Sequence, residues 1–131
     1  MPVSFSLLAV SQLAPNVAVA AVSNMFARAR QCALSHGVTG LMVFDGAGFS
    51  HYLEGEHRAV MACVDHFQSD LRLQAFEAMH HRRCDERRYR EFRSGYANGD
   101  GPPPSEALRA MNGNATLEAF LALAESFDLA R

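Results

Sequence analysis

The sequence lacks a surplus of positive charge, paired cysteines, a long apolar run and the familiar catalytic signatures, and each lack removes a class of function. Twelve Lys and Arg stand against fourteen Asp and Glu, a formal charge of −2. The counterion release that drives general nucleic-acid binding therefore has no source, and no nucleic-acid partner is expected. The three cysteines, Cys32, Cys63 and Cys84, are odd in number and widely spaced, with no CxxC pair. They form neither a disulfide framework nor a zinc knuckle and read as free thiols in a reducing cytoplasm. No stretch approaches the roughly 20 apolar residues that span a bilayer, and Met1 to Val10 carries no basic segment of a secretory leader. A cytoplasmic location without a membrane partner is the expectation. Neither GxSxG, HExxH nor a glycine-rich phosphate loop occurs, so no enzyme is expected.

What is present is material for a packed domain: 49% of the 131 residues are apolar, enough to bury a core without metals or crosslinks. Val3 to Val10 is rich in strand formers and ends at Ser11 to Asn16, where Pro15 and Asn16 interrupt it. From Val17 to Ser35, the residues Val19, Val22, Phe26, Ala29 and Ala33 recur three or four apart, which predicts a helix closing at Gly37. Val38 to Phe44 and Phe49 to Leu53 flank Asp45-Gly46-Ala47-Gly48, a hairpin pattern. Val60, Cys63, Val64 and Phe67 mark a second amphipathic helix ending near Ser69-Asp70, and Ala75 to Arg83 and Phe92 to Tyr96 read as two more strands.

This order predicts an α+β fold with a ferredoxin-like βαββαβ core, helices on one face and an added strand. Residues 1–97 would form that core. After a break at Asn98 to Pro104, residues 98–131 would add a loop, a short helix near Ser105 to Met111 and a longer one from Thr116, as part of the same domain. Leu117, Phe120, Leu121, Ala124 and Phe127 give the last helix an apolar stripe that must be covered, by the free sheet face or by a partner protein.

The scattered donors Cys32, His36, His51, His57, His66, His80, His81 and Cys84 show no ligand spacing, so no metal site is expected, and Cys63 reads as core. The stretch His80 to Arg90, with Arg82, Arg83, Arg87, Arg88 and Arg90 around Asp85 and Glu86, reads as a solvated loop, or else as an anion surface.

Gly37-Val38-Thr39-Gly40-Leu41, then Phe49-Ser50-His51-Tyr52-Leu53-Glu54-Gly55, Ser69-Asp70-Leu71-Arg72 and Arg88-Tyr89-Arg90-Glu91-Phe92 together resemble the BLUF family of flavin-based blue-light receptors, over about Phe5 to Tyr96. The resemblance implies FAD or another flavin held between the two helices, and photochemistry that starts from a strand-one tyrosine next to a glutamine. Carried over position by position, the tyrosine falls on Ala9, the flavin-gripping asparagine on Ala33 and the glutamine on His51. Met25 is a further pocket position. Arg72 matches a basic residue near the ribityl chain, although Leu73 replaces the histidine that follows it, and the tryptophan and methionine positions near the last strand hold Phe92 and Ser94.

Ala9 has no redox-active ring, and Ala33 removes a hydrogen-bonding side chain, a loss of about 1–3 kcal/mol where a ligand group stays unpaired. His51 keeps one donor and one acceptor nitrogen. The expectation is a divergent, photochemically inactive relative with an empty or altered pocket and no cofactor, acting through a protein partner or self-association, such as a homodimer. A flavin-bound photoreceptor in which His51 and Arg72 compensate is the first alternative; a metal or redox sensor is the second.

Overall fold

The computed structural model describes residues 4–97, 101–111 and 113–129. Six strands, β1 (Ser4–Leu13), β2 (Thr39–Phe44), β3 (Gly48–Gly55), β4 (Leu73–Cys84), β5 (Phe92–Tyr96) and β6 (Asp128–Leu129), form one sheet in the order β4-β1-β3-β2-β5-β6. All pairs are antiparallel except β2 with β5. Among the described residues, four α-helices accompany it: α1 (Val22–His36), α2 (His57–Ser69), α3 (Pro104–Arg109) and α4 (Gly113–Ala124). The α+β, ferredoxin-like expectation holds.

Strand alternation makes two cores, because successive side chains point to opposite faces. Leu7 and Ala9 of β1, with Phe49 and Leu53 of β3, join Val22, Met25, Phe26, Ala29 and Ala33 of α1 and Val60, Cys63, Val64 and Phe67 of α2. Leu8, Val10, Leu41, Val43 and Tyr52 face the other way and meet Leu108, Leu117, Phe120 and Phe127. The apolar stripe of the last helix thus lies against the sheet. All eight residues of β3 are buried, since it is covered on both faces. Among the described residues, no helix is long and apolar enough to cross a membrane.

Several boundaries differ from those expected. β1 runs on through Ser11, Gln12 and Leu13, because Ser11 and Gln12 pair with Phe49 and Gly48 and Leu13 with Leu73. The first helix begins at Val22 after a 3-10 turn, Val19–Ala21, and no side chain caps either start. β4 extends to Cys84, so His80 to Arg83 are strand and only the following residues are loop. Its path is irregular, with register shifts against β1 and Ala75 at a φ of 53°. α3 ends at Arg109 and α4 starts at Gly113, ahead of Thr116. Phe127 is buried beyond the helix end, and β6 is a sixth strand that the sequence pattern did not predict. Val3 and the Asn98 to Asp100 part of the break lie outside the described residues.

Two polar side chains fasten the connections. Asp45 accepts hydrogen bonds from the Ala47 and Gly48 N–H groups at 3.0 and 2.9 Å and from Ser105 N–H at 2.7 Å, tying the hairpin turn to α3. Glu54 is fully buried; its carboxylate accepts from Arg88 N–H at 2.8 Å, Tyr89 N–H at 3.0 Å and the Tyr52 hydroxyl at 3.2 Å. Burial, then the Glu54 charge, holds the Tyr52 phenol above its usual pKa. Glu54→Ala strands two backbone donors at the β4–β5 connection and should cost about 3 kcal/mol, read as a lower urea midpoint with faster proteolysis between residues 85 and 91. Glu54→Gln, which keeps one acceptor oxygen, should lose less.

Candidate functional site

The layer between α1, α2 and the sheet contains four of the five candidate positions, all buried: Ala9 on β1, His51 on β3, and Met25 and Ala33 on α1. Ala9 and His51 are direct cross-strand partners, because β1 and β3 pair antiparallel through them. Side by side at the centre of the sheet stand a methyl group and an imidazole.

His51 is fully enclosed. Its Nε2 lies 2.8 Å from the Ser11 hydroxyl oxygen, and its Nδ1 has no hydrogen-bond partner among the described residues. The ring is walled by Phe67, Phe76 and Phe49, with centroids at 4.4, 5.3 and 6.0 Å. Burial pushes its pKa down to about 3, so the imidazole is neutral. Ser11 supplies the polar contact that strand one offers, two residues beyond Ala9 on the same face. Ser11 sits where turn-forming residues begin to break the strand pattern, yet the period-two alternation from Ala9 runs on through it.

Arg72 is set apart from this layer. It lies between α2 and β4, where its guanidinium grips both carboxylate oxygens of Asp70 at 2.9 Å and donates to the Asn24 side chain of α1 at 2.9 Å. That hydrogen bonding holds the Asp70 carboxyl below the usual carboxylate range. A depression of about 380 Å³ opens here, lined by Arg28, His66, Ser69, Asp70, Leu71 and Arg72. Phe92 is buried opposite Gly40, and Ser94 is half-buried opposite Met42.

These residues do not fit the isoalloxazine ring that the resemblance implies. Its amide edge needs a donor–acceptor side chain from α1, and Ala33 offers a methyl group. Arg72 is committed to Asp70 and to the Asn24 side chain. Among the described candidate positions, His51 keeps a buried Nδ1 without a partner that could meet a ligand. Cavities of about 730 and 580 Å³ open elsewhere, the first between Glu54 and the arginines from Arg82 to Arg88, the second along the outer side of α1 against β5 and β6.

The candidate metal donors are mostly dispersed. His57 packs edge-on against Phe5 at 4.6 Å, and His66 against Phe67 at 5.6 Å. Cys32, His36 and Cys63 do converge: the two sulfur atoms are 3.8 Å apart, Cys32 Sγ is 3.8 Å from His36 Nδ1, and one donor atom from each lies within 4.8 Å of the others. Burial, then Cys32, pushes the Cys63 thiol up to about 12. Cys63 lies in the core as its helical spacing predicts, whereas its pairing with Cys32 has no sequence signal, because the partner comes from another helix 31 positions away.

A family model described as BLUF, sensors of blue light using FAD, matches residues 5–95. Among solved structures, the ground state of BlsA is similar with a TM-score of 0.71 at 18% identity, covering 91% of this chain and 85% of that one. BlrB, a BLUF protein in its dark state, gives 0.67 at 23% identity over 92% and 85% of the two chains. A bacterial light-regulated adenylyl cyclase gives 0.68 at 13% identity, covering 93% of this chain but 36% of the cyclase. This chain therefore spans about a third of that larger protein. At such identities the structural likeness concerns the fold. No curated protein matches the sequence.

Proposed function

The chain belongs to the BLUF family, the sensors of blue light using FAD, and from that membership we propose a signalling module that keeps the scaffold without the photochemistry and acts through protein contact. The observation that carries this reading is the pair at the centre of the sheet. Ala9 stands directly beside His51, both buried, where the family's light reaction needs an oxidisable phenol beside an amide. A methyl group donates no electron. The neutral imidazole beside it is already engaged with Ser11 and enclosed by three phenylalanines.

Output by protein contact has support from the groove of about 580 Å³ beside α1, whose lining includes Phe26, Ala27, Leu34, Tyr96 and Leu129. Leu34 and Tyr96 are 69% and 38% exposed there, an apolar surface suited to a protein partner or a second copy of the chain. No catalytic role is assigned. The unpartnered Nδ1 of His51 favours a second reading, a flavin held without the usual asparagine and receiving one hydrogen bond from that nitrogen.

An absorption spectrum of freshly purified protein, before and after blue light and with FAD added, tests both readings. The expected result is no flavin band, no uptake of added FAD and no light-induced shift. A retained flavin spectrum without a red shift would replace the first reading by the second. A light-induced red shift would overturn the assignment of Ala9 as the end of the photochemistry.

A further inference from the structure

The thiols and imidazole between α1 and α2 form a small constellation that the flavin pocket does not explain. Cys32 and His36 are four apart on α1 and so share a face, and Cys63 reaches them from the middle of α2. We propose that Cys32, Cys63 and His36 bind a zinc ion that bridges the two helices.

The spacing suits that ion. Zinc bonds thiolate sulfur at about 2.3 Å and imidazole nitrogen at about 2.0–2.1 Å in tetrahedral geometry, which sets its sulfur atoms roughly 3.8 Å apart and sulfur from nitrogen roughly 3.6 Å. The two cysteine sulfurs are 3.8 Å apart, and Cys32 Sγ to His36 Nδ1 is 3.8 Å. Two thiolates with one imidazole are also a donor set that suits zinc over calcium or magnesium, which take oxygen ligands.

Placement of the three donors adds to the argument. Cys63 is buried, Cys32 half-buried and His36 exposed at the last turn of α1, so the group runs from the core to the surface. An ion can enter from the exposed His36 side, and three protein donors leave a fourth position for water, the ligand count of an open rather than a closed zinc site. Binding releases the two thiol protons to solvent and replaces the bond of His36 Nδ1 to the Cys32 carbonyl oxygen, now 2.9 Å. A bound ion would set the distance between α1 and α2, the helices that enclose Ala9 and His51. The inference stands on these three residues and does not depend on whether a flavin binds.

The test is a cobalt titration of the full chain, purified without a histidine tag and kept reduced, followed by zinc. Expected is a thiolate-to-cobalt charge-transfer band with visible d–d bands of tetrahedral coordination, saturating at one ion per chain and bleached by zinc. Cys32→Ser and Cys63→Ser should each abolish the band. His36→Ala, at an exposed position where folding is not at stake, should weaken zinc binding by more than about a hundredfold, since even outer partners of zinc ligands are worth 10–100-fold. The proposal is overturned if the reduced, folded protein gives no charge-transfer band, if the band survives in His36→Ala at unchanged affinity, or if both cysteine variants keep it. Non-reducing mass analysis that finds Cys32 joined to Cys63 after anaerobic zinc loading would overturn it as well, in favour of a redox pair.

Discussion

Gly40→Ala should destabilise the fold by about 4 kcal/mol or more, a large part of the 5–15 kcal/mol by which ordinary domains are stable, and so lower the urea midpoint steeply. Gly40 adopts a φ of 144°, which side chains of L-residues rarely take, and a Cβ there would fall inside the Tyr52 carbonyl group and against the Leu53 Cα. Neither neighbour can yield. Gly40 pairs with Leu53 of β3 on one side and Phe92 of β5 on the other, and its N–H donates to the Glu91 carbonyl at 3.2 Å, so β2 is held from both edges. Gly46→Ala separates strain from collision: Gly46 has a φ of 94° but no atom within 4 Å of an added Cβ. It should lose only about 1–2 kcal/mol. Urea unfolding followed by circular dichroism reads both, and a Gly40→Ala protein within about 1 kcal/mol of the parent would show that β2 can shift after all.

The motifs that carried the resemblance are legible because each has a backbone reason. Gly37 ends α1 in the left-handed conformation, its N–H reaching the Ala33 and Leu34 carbonyls; Gly40 admits the close approach of β3; Glu54 holds the loop before β5. Alternation along the strands and spacings of three or four along the helices are enough for the sheet core and its helices, because burial on one face imposes them directly. They fail where a polar group is satisfied from a distance. Ser11 looked like the start of a loop, yet its hydroxyl is buried and occupied by His51, 40 positions away. The two-residue β6 has no pattern of its own and is defined by pairing with Gly95 and Tyr96. The burial of Ala9, Ala33 and His51 in one layer follows from the strand and helix patterns, but the Cys32, His36 and Cys63 cluster does not, since no spacing in one helix reveals a donor from another.

His51 should make the fold acid-sensitive, and one substitution should remove that sensitivity. In the unfolded chain the imidazole titrates near 6.5, whereas burial among Phe49, Phe67 and Phe76 lowers the folded value to about 3. Between those values the unfolded chain binds a proton that the folded one refuses, so stability rises with pH by about 1.4 kcal/mol per unit and falls as the solution is acidified. Above pH 6.5 both states are neutral at this ring and the contribution is flat. At pH 5 the loss should be about 2 kcal/mol, and near pH 3 it should reach about 4–5 kcal/mol. His66 and His80, also held below their usual values, first by burial and then by Arg28 and Arg82 respectively, act in the same direction. They remain in His51→Gln, whose amide keeps an acceptor for the Ser11 hydroxyl but has nothing to titrate. Urea midpoints from pH 8 to pH 5 should therefore diverge, steep for the parent and shallow for the variant. Parallel curves would mean that the folded protein admits a proton to His51. The free Nδ1 would then open to water in the native state, and the centre of the sheet would be accessible to a small polar ligand after all.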